Sequence, residues 1–227
     1  MSQMISQEQD VVFDNAKVMK RKGSLHGTHM SWDDSLKGQL AALSNAIASL
    51  ERNGQMDSIV RLTRRVKGFH FFTGVGKNGY VAEKTASTFN SLGIRSMFVD
   101  PVHTLHGDMN IFSSNDILYS ISKSGETEEL IRFHNALRNN GFRRICLVTS
   151  SPRSSLASLS QTTLVVPITT EADHLELAPV ASSLVFMAVL QAVAVDLSSR
   201  RGFSKRDFVR GHPGGTLGKV RVGSGTS

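Results

Sequence analysis

Several stretches of the 227-residue chain hold residue types that bind anions or move protons. The segment Ser120-Ile121-Ser122-Lys123-Ser124-Gly125-Glu126-Thr127 follows a short apolar run. Hydroxyls at Ser122, Ser124 and Thr127, together with the free amides of a helix start, make a cradle for phosphate. Gly125 lets the backbone approach the anion closely. The structural alternative is that Ser124 or Thr127 only caps the helix, with Glu126 meeting its dipole. Three hydroxyls where one cap suffices favour a ligand. Upstream, Gly74-Val75-Gly76-Lys77-Asn78-Gly79 has the letters G-x-G-x-x-G. A dinucleotide reading wants an acid about twenty residues on, and Asp100 stands near that place, so it stays open. Lys77 within the loop points instead to an anion or a reacting sugar. A Walker loop is excluded, since G-x-x-x-x-G-K-[ST] is absent.

The remaining polar groups fall in three segments: His103, His106 and Asp108; Glu171, Asp173, His174 and Glu176; and His212-Pro213-Gly214-Gly215. His103-x-x-His106 has a metal-ligand spacing but no third ligand at a fixed offset. Acid/base chemistry is the stronger reading, because His and Glu are its usual groups. Loops at one end of a sheet converge in space, so sequence separation is no objection.

Such loops need a scaffold. Apolar runs begin at Phe69, Ser96, Ile117, Ile145 and Leu164, the last reaching Ile168, each separated from the next by enough chain for a helix. Near-continuous apolar strands alternating with helices predict a doubly wound α/β fold, a five-stranded parallel sheet covered on both faces. Before it, Leu36, Leu40, Leu43, Ile47 and Leu50 predict one helix with a single buried stripe, capped by Asp33 or Asp34. A second helix is expected over Met56 to Val66, and a long apolar one over Pro179 to Leu197. The stretch from Leu175 to Leu197 is interrupted by polar residues and reads as a core helix, not a membrane span. Residues 1–35 read as an N-terminal extension, poorly ordered or helical around Val11 to Met19. One domain over 36–222 and a tail at 223–227 complete the division.

Lys plus Arg is 26 and Asp plus Glu 19, a formal charge of +7, and 40% of residues are apolar, which rules out a mostly disordered chain. The lone Cys146 excludes an internal disulfide framework. With no secretory signal at the start, a cytoplasmic protein is expected. Seven basic residues between Arg200 and Arg221 face one acid, Asp207. No aromatic platform or zinc-finger spacing accompanies them. The basic balance therefore suits an anionic metabolite or a solvated surface better than nucleic acid or membrane.

The order Gly-Val-Gly-Lys-Asn-Gly, Leu-His-Gly-Asp, Ile-Ser-Lys-Ser-Gly-Glu-Thr, Thr-Glu-Ala-Asp-His-Leu-Glu-Leu-Ala-Pro and His-Pro-Gly-Gly-Thr-Leu-Gly resembles the SIS (sugar isomerase) domain family. Over residues 36–222 it is most similar to the arabinose-5-phosphate isomerase branch. The resemblance implies a flavodoxin-like SIS sandwich that interconverts ribulose 5-phosphate and arabinose 5-phosphate, feeding synthesis of the sugar acid Kdo for lipopolysaccharide and capsule. It implies catalytic roles for Lys77, His106, Glu126, Glu171 and His212. It implies phosphate binding by Ser122, Ser124 and Thr127, and sugar binding by Gly76, Asn78 and Lys123. No redox cofactor or metal is required, and a homotetramer is expected, in which His212 reaches a neighbouring subunit's site.

Two departures stand out. Lys123 replaces the Asn usual in relatives, and Asp173, His174 and Glu176 replace Cys, Pro and Gly beside Glu171, where they bear on the shape of the sugar pocket. Many relatives carry paired cystathionine-β-synthase-type domains after the isomerase domain, and regulation by such domains is not expected here, since the sequence runs only a few residues past Arg221. For the enediol chemistry, Glu171 is the first choice of base and Glu126 the second. Lys77 would stabilise the developing oxyanion, and His106 or His212 would open a cyclic sugar. The alternatives are isomerisation of another phosphosugar, a non-catalytic phosphosugar sensor, and, more remotely, a nucleic-acid-binding regulator. A sensor need not keep Lys77, Glu171 and His212 together, so their joint presence favours an enzyme.

Overall fold

A computed structural model of the chain describes residues 29–214. The expectations for residues 1–28, including the helix around Val11 to Met19, and for 215–227 lie outside the described residues. Helices α1 (Trp32–Asn53) and α2 (Gln55–Arg64) lead into β1 (His70–Gly74), α3 (Lys77–Ser91), β2 (Ser96–Phe98) and α4 (Pro101–Thr104). A 3-10 turn at Asp108–Ile111 precedes β3 (Ile117–Ile121), α5 (Glu128–Asn139), β4 (Ile145–Thr149) and α6 (Ser155–Leu159). The described chain closes with β5 (Thr162–Val165), α7 (Ala181–Arg200) and α8 (Lys205–Gly211).

The five strands form one all-parallel sheet in the order β2-β1-β3-β4-β5, as the doubly wound reading requires. Residues of β1, β3 and β4 are buried at every position, and their side chains alternate between two layers. Phe72, Tyr119, Ile121, Cys146 and Val148 face α1, α2, α3 and α7. Phe71 and Leu118 face α5, and Leu147 meets Leu130 and Leu156 of α5 and α6. Strand β5 begins two residues earlier than expected. Thr162 and Thr163 pair with Cys146 and Leu147, and Val166 makes the last bond of the ladder, to Thr149 O at 2.8 Å, before Pro167 ends it.

Helix α1 corrects two expectations. Its cap is Ser31, whose Oγ accepts from Asp34 N at 3.1 Å while Asp34 closes the capping box. It therefore starts inside the span assigned to the extension. Its stripe is only partly buried: Leu50 is in the core and Leu43 packs against it, but Leu36 is 56% exposed, Leu40 46% and Ile47 47%. The buried face carries Ala42, Ala46 and Leu50, and at Gly38 a Cβ would lie 2.8 Å from Ala172 Cβ. Small residues four apart let α1 lie close on the core, which leaves Leu36, Leu40 and Ile47 outward. Helix α7 meets the expectation of a core helix, with Val185, Phe186, Val189, Leu190, Val193 and Ala194 buried.

His70 on β1 and His134 on α5 are buried with neither ring nitrogen hydrogen-bonded among the described residues. Burial lowers His70 to about 3 and His134 to about 4. Both fold as neutral rings, whereas the unfolded chain takes up a proton below about pH 6.5. Stability is thus complete above that value and declines as the pH falls. At pH 5 the loss amounts to about 2 kcal/mol per histidine. Thermal unfolding at pH 7 and pH 5 should show the drop, and His134→Leu should shrink it.

Candidate active site

The sheet order places a switch point between β1 and β3, where the chain leaves in opposite directions and a crevice opens at the carboxyl ends of the strands. Two of the loops singled out by sequence flank it. After β1, Gly74 is needed for close approach, since a Cβ there would lie 2.6 Å from Asn78 O. Gly76 takes φ +59° as the residue before α3. Lys77 is the exposed first residue of that helix. Asn78 Oδ1 is buried without a partner among the described residues. The dinucleotide option closes here. Asp100 Oδ1 accepts from Val102 N at 2.9 Å and His103 N at 2.8 Å, so the carboxylate caps α4 and is not offered to a ribose.

After β3 the hydroxyl loop bends back on itself. Ser122 Oγ accepts from Gly125 N at 3.1 Å and meets Thr127 Oγ1 at 2.9 Å. Thr127 holds the N-cap position of α5 with no side-chain cap bond. The simple capping alternative therefore fails for Thr127, and the amides of the first turn are left for a ligand. Ser124 Oγ accepts from Glu126 N at 3.2 Å. The loop after β4 supports this one from the side: Ser150 N and Thr149 Oγ1 donate to Lys123 O at 3.1 and 3.0 Å. A Cβ on Gly125, at φ +70°, would strike Ser154 Oγ. Ser154 itself caps α6.

Glu171, 2% exposed, lies on the connection from β5 to α7. Its Oε1 is ion-paired with Lys123 Nζ and its Oε2 accepts from Ser182 N at 3.0 Å. Its carbonyl accepts from Ala181 N at 3.1 Å. Val180 caps α7 with no side chain, so Glu171 supplies the missing cap from outside the helix, at the positive end of its dipole. The residues that replace Cys and Gly organise the same loop. Asp173 accepts from Leu175, Leu177 and Ala178 N at 2.7–2.8 Å. Glu176 accepts from Glu171 N at 2.8 Å and Thr170 Oγ1 at 2.6 Å. Glu176 sits at φ +57°, which gives a physical reason for the glycine usual there.

Residues 67–196 match the model of the SIS domain. The chain belongs to the SIS domain family. It is 36% identical over 185 residues to arabinose 5-phosphate isomerase KpsF of Escherichia coli, covering 82% of this chain and 56% of that protein. Against arabinose 5-phosphate isomerase KdsD of Pseudomonas aeruginosa it is 37% identical over 153 residues, covering 67% and 47%. The chain thus spans about half the length of these curated relatives. A protein of E. coli CFT073 solved in complex with arabinose 5-phosphate superposes with a TM-score of 0.76 at 34% identity, covering 80% of this chain and 95% of that one.

In this SIS domain the structure joins Ser122, Thr127 and the Gly125 amide, and links Lys123 to Glu171. Lys77, Gly76 and Asn78 stand on the neighbouring loop across the switch point. Glu126 is exposed, and Oε1 accepts from Ser155 N at 2.8 Å. That bond holds its carboxyl below the usual range, which suits it less to the work of a base near neutral pH. His106 is exposed in the connection after α4. His212 is not brought to the crevice. It stacks on Phe208 at 4.0 Å and borders an open groove of about 470 Å³ lined by Glu83, Asn90, Ser96 and Phe98. The α3 positions among these lie roughly 9 to 20 Å down the helix axis from Lys77.

Sequence reasoning missed the Ser182 and Ser155 amides, because backbone donors leave no letter in a sequence. It also missed the Lys123–Glu171 pair, whose one hint was a lysine amid hydroxyls. Thr127→Val tests the cradle. It keeps shape and costs no cap bond, so stability should move by no more than about 1 kcal/mol. Calorimetric affinity for inorganic phosphate should fall roughly 5- to 10-fold, as loss of a hydrogen bond to a charged ligand predicts.

Proposed function

We propose that the protein interconverts D-ribulose 5-phosphate and D-arabinose 5-phosphate through a cis-enediol. The observation that carries this reading is a buried carboxylate, Glu171, tied directly to the phosphate loop through Lys123. It puts a candidate base beside an anion cradle. The likeness to the E. coli CFT073 protein solved with arabinose 5-phosphate and to the curated arabinose 5-phosphate isomerases supports the choice of substrate.

From the ketose, Glu171 removes the C1 proton, the electron pair moves to the C2 carbonyl oxygen, and an enediolate forms. Lys77 steadies that oxyanion. Glu171 then returns the proton to C2 while the C1 hydroxyl passes its proton to the C2 oxyanion and becomes the aldehyde carbonyl, which completes the aldose. Glu126, already ionised, serves as a polar wall of the site, and His106 opens the cyclic sugar. The phosphate rests on Ser122, Ser124, Thr127 and the first turn of α5, while Gly76, Asn78 and Lys123 line the sugar. No redox cofactor or metal enters these steps. In the cell the product would enter Kdo synthesis from the cytoplasm.

NMR of purified protein with ribulose 5-phosphate should show arabinose 5-phosphate appearing. Glu171→Gln keeps an acceptor for Ser182 N and should lower kcat by at least about 100-fold, the contribution of a positioned base. Full activity in that variant would remove Glu171 from the chemistry, and no turnover by wild-type protein would remove the reading itself.

Assembly as a homotetramer is part of the proposal. Trp32, Leu36, Leu40 and Ile47 of α1 are exposed together, an unusual apolar stripe for a surface helix. His212, its Nδ1 bonded to Phe208 O at 2.7 Å, borders the groove beside α3 and would present Nε2 to a neighbour's crevice. Sedimentation should find a tetramer. Leu36→Glu/Leu40→Glu should dissociate it and reduce turnover by more than about 10-fold, if a partner's His212 contributes acid/base catalysis. A fully active monomer would disprove the shared site.

A further inference from the structure

Lys123 occupies two places at once. Its backbone belongs to the phosphate cradle, between Ser122 and Ser124, and is pinned to β4: Ser122 N donates to Val148 O at 3.1 Å and Lys123 O accepts from Ser150 N at 3.1 Å. Its ammonium, at the end of a side chain 39% exposed, is paired with the 2% exposed carboxylate of Glu171. The main chain is therefore fixed, while a flexible four-carbon stem bears the charge. Glu171 would not be released altogether by losing the lysine, since Oε2 keeps the Ser182 amide at 3.0 Å and its carbonyl keeps Ala181 N.

We propose that Lys123 is an exchangeable cation that pairs with Glu171 while the cradle holds no anion and swings to the substrate's phosphate when it binds. The inference rests on the isomerase reading of Glu171. A phosphate monoester carries close to two negative charges at neutral pH and three acceptor oxygens, against one charge on the carboxylate. It arrives where Ser122, Ser124, Thr127 and the α5 amides already converge. The exchange keeps the lysine paired throughout, while Glu171 gives up its counter-ion and retains the Ser182 amide on Oε2. Its consequence is chemical. An oxygen engaged by an ammonium has that lone pair blocked, and departure of Lys123 opens Oε1 to the substrate's C–H proton. The base becomes available only after a phosphate is seated, which selects phosphorylated sugars over free ones. An Asn at this position would have neither the reach nor the charge to do this.

The test compares wild-type protein, Lys123→Met and Lys123→Arg in turnover of ribulose 5-phosphate and in calorimetric titration with inorganic phosphate. Exchange predicts that Lys123→Met raises KM and weakens phosphate binding by about 10-fold or more, the size of a charge-assisted contact, with kcat within about 3-fold. Lys123→Arg should restore both. If kcat falls while KM and phosphate affinity stay at wild-type values, Lys123 only holds Glu171 in place and the exchange is wrong. If wild-type protein turns nothing over, the isomerase reading fails by itself. The phosphate titration then decides the exchange, with equal affinity in Lys123→Met overturning it. Should Lys123→Met not fold, the double variant Lys123→Gln/Glu171→Gln removes both charges together, and its phosphate titration is read the same way.

Discussion

Glu171 has every polar group engaged: Oε1 by Lys123, Oε2 by the Ser182 amide, its own amide by Glu176 and its carbonyl by Ala181 N. Through these bonds one buried residue joins the loop after β3, the start of α7 and the 171–178 loop. A carboxylate taken so far from water is tolerated only when paired and hydrogen-bonded. The surrounding chain is therefore constrained to deliver those donors. This explains why Glu176 accepts a backbone conformation that favours glycine, and why Asp173 commits its carboxylate to three amides of its own loop.

The sheet makes this arrangement possible. Its central strands are buried on both faces, so their registers cannot slip without moving large side chains such as Phe72 and Tyr119 out of the core. Loops that leave those strands inherit fixed starting points at the switch between β1 and β3. The glycines at 74 and 76 then shape the first loop, and the Ser122–Thr127 contact shapes the second. The crevice is polar because the strands end there, and backbone amides of two helix starts, α3 and α5, open toward it.

Helix α1 follows a different logic. Its inward face is built from Gly38, Ala42, Ala46 and Leu50, the small residues bringing it close to the core, while Trp32, Leu36, Leu40 and Ile47 stay outside. A helix that only needed to cover the sheet would turn its leucines inward. The arrangement is intelligible when the outer face is also an interface, with the same helix serving two partners at once.

Much of the molecule was legible in the letters. Strands β1, β3 and β4 announce themselves as near-continuous apolar runs, because a strand buried on both faces has no solvent-facing side to show. The bend of the hydroxyl loop was legible too, since Ser122, Gly125 and Thr127 stand in close succession before a helix start. Periodicity misled at α1, where spacing identifies a stripe but not which side of it the core lies on. The cap was misassigned for a related reason: several adjacent residues could serve, and only the chain's entry angle picks Ser31. Tertiary structure alone decided that Lys123 meets Glu171 and that Glu126 is held by Ser155. Each of these is a contact between segments distant in sequence. Residue identity establishes what a side chain is able to do; the packing of β5 and α7 against the β3 loop establishes what it touches.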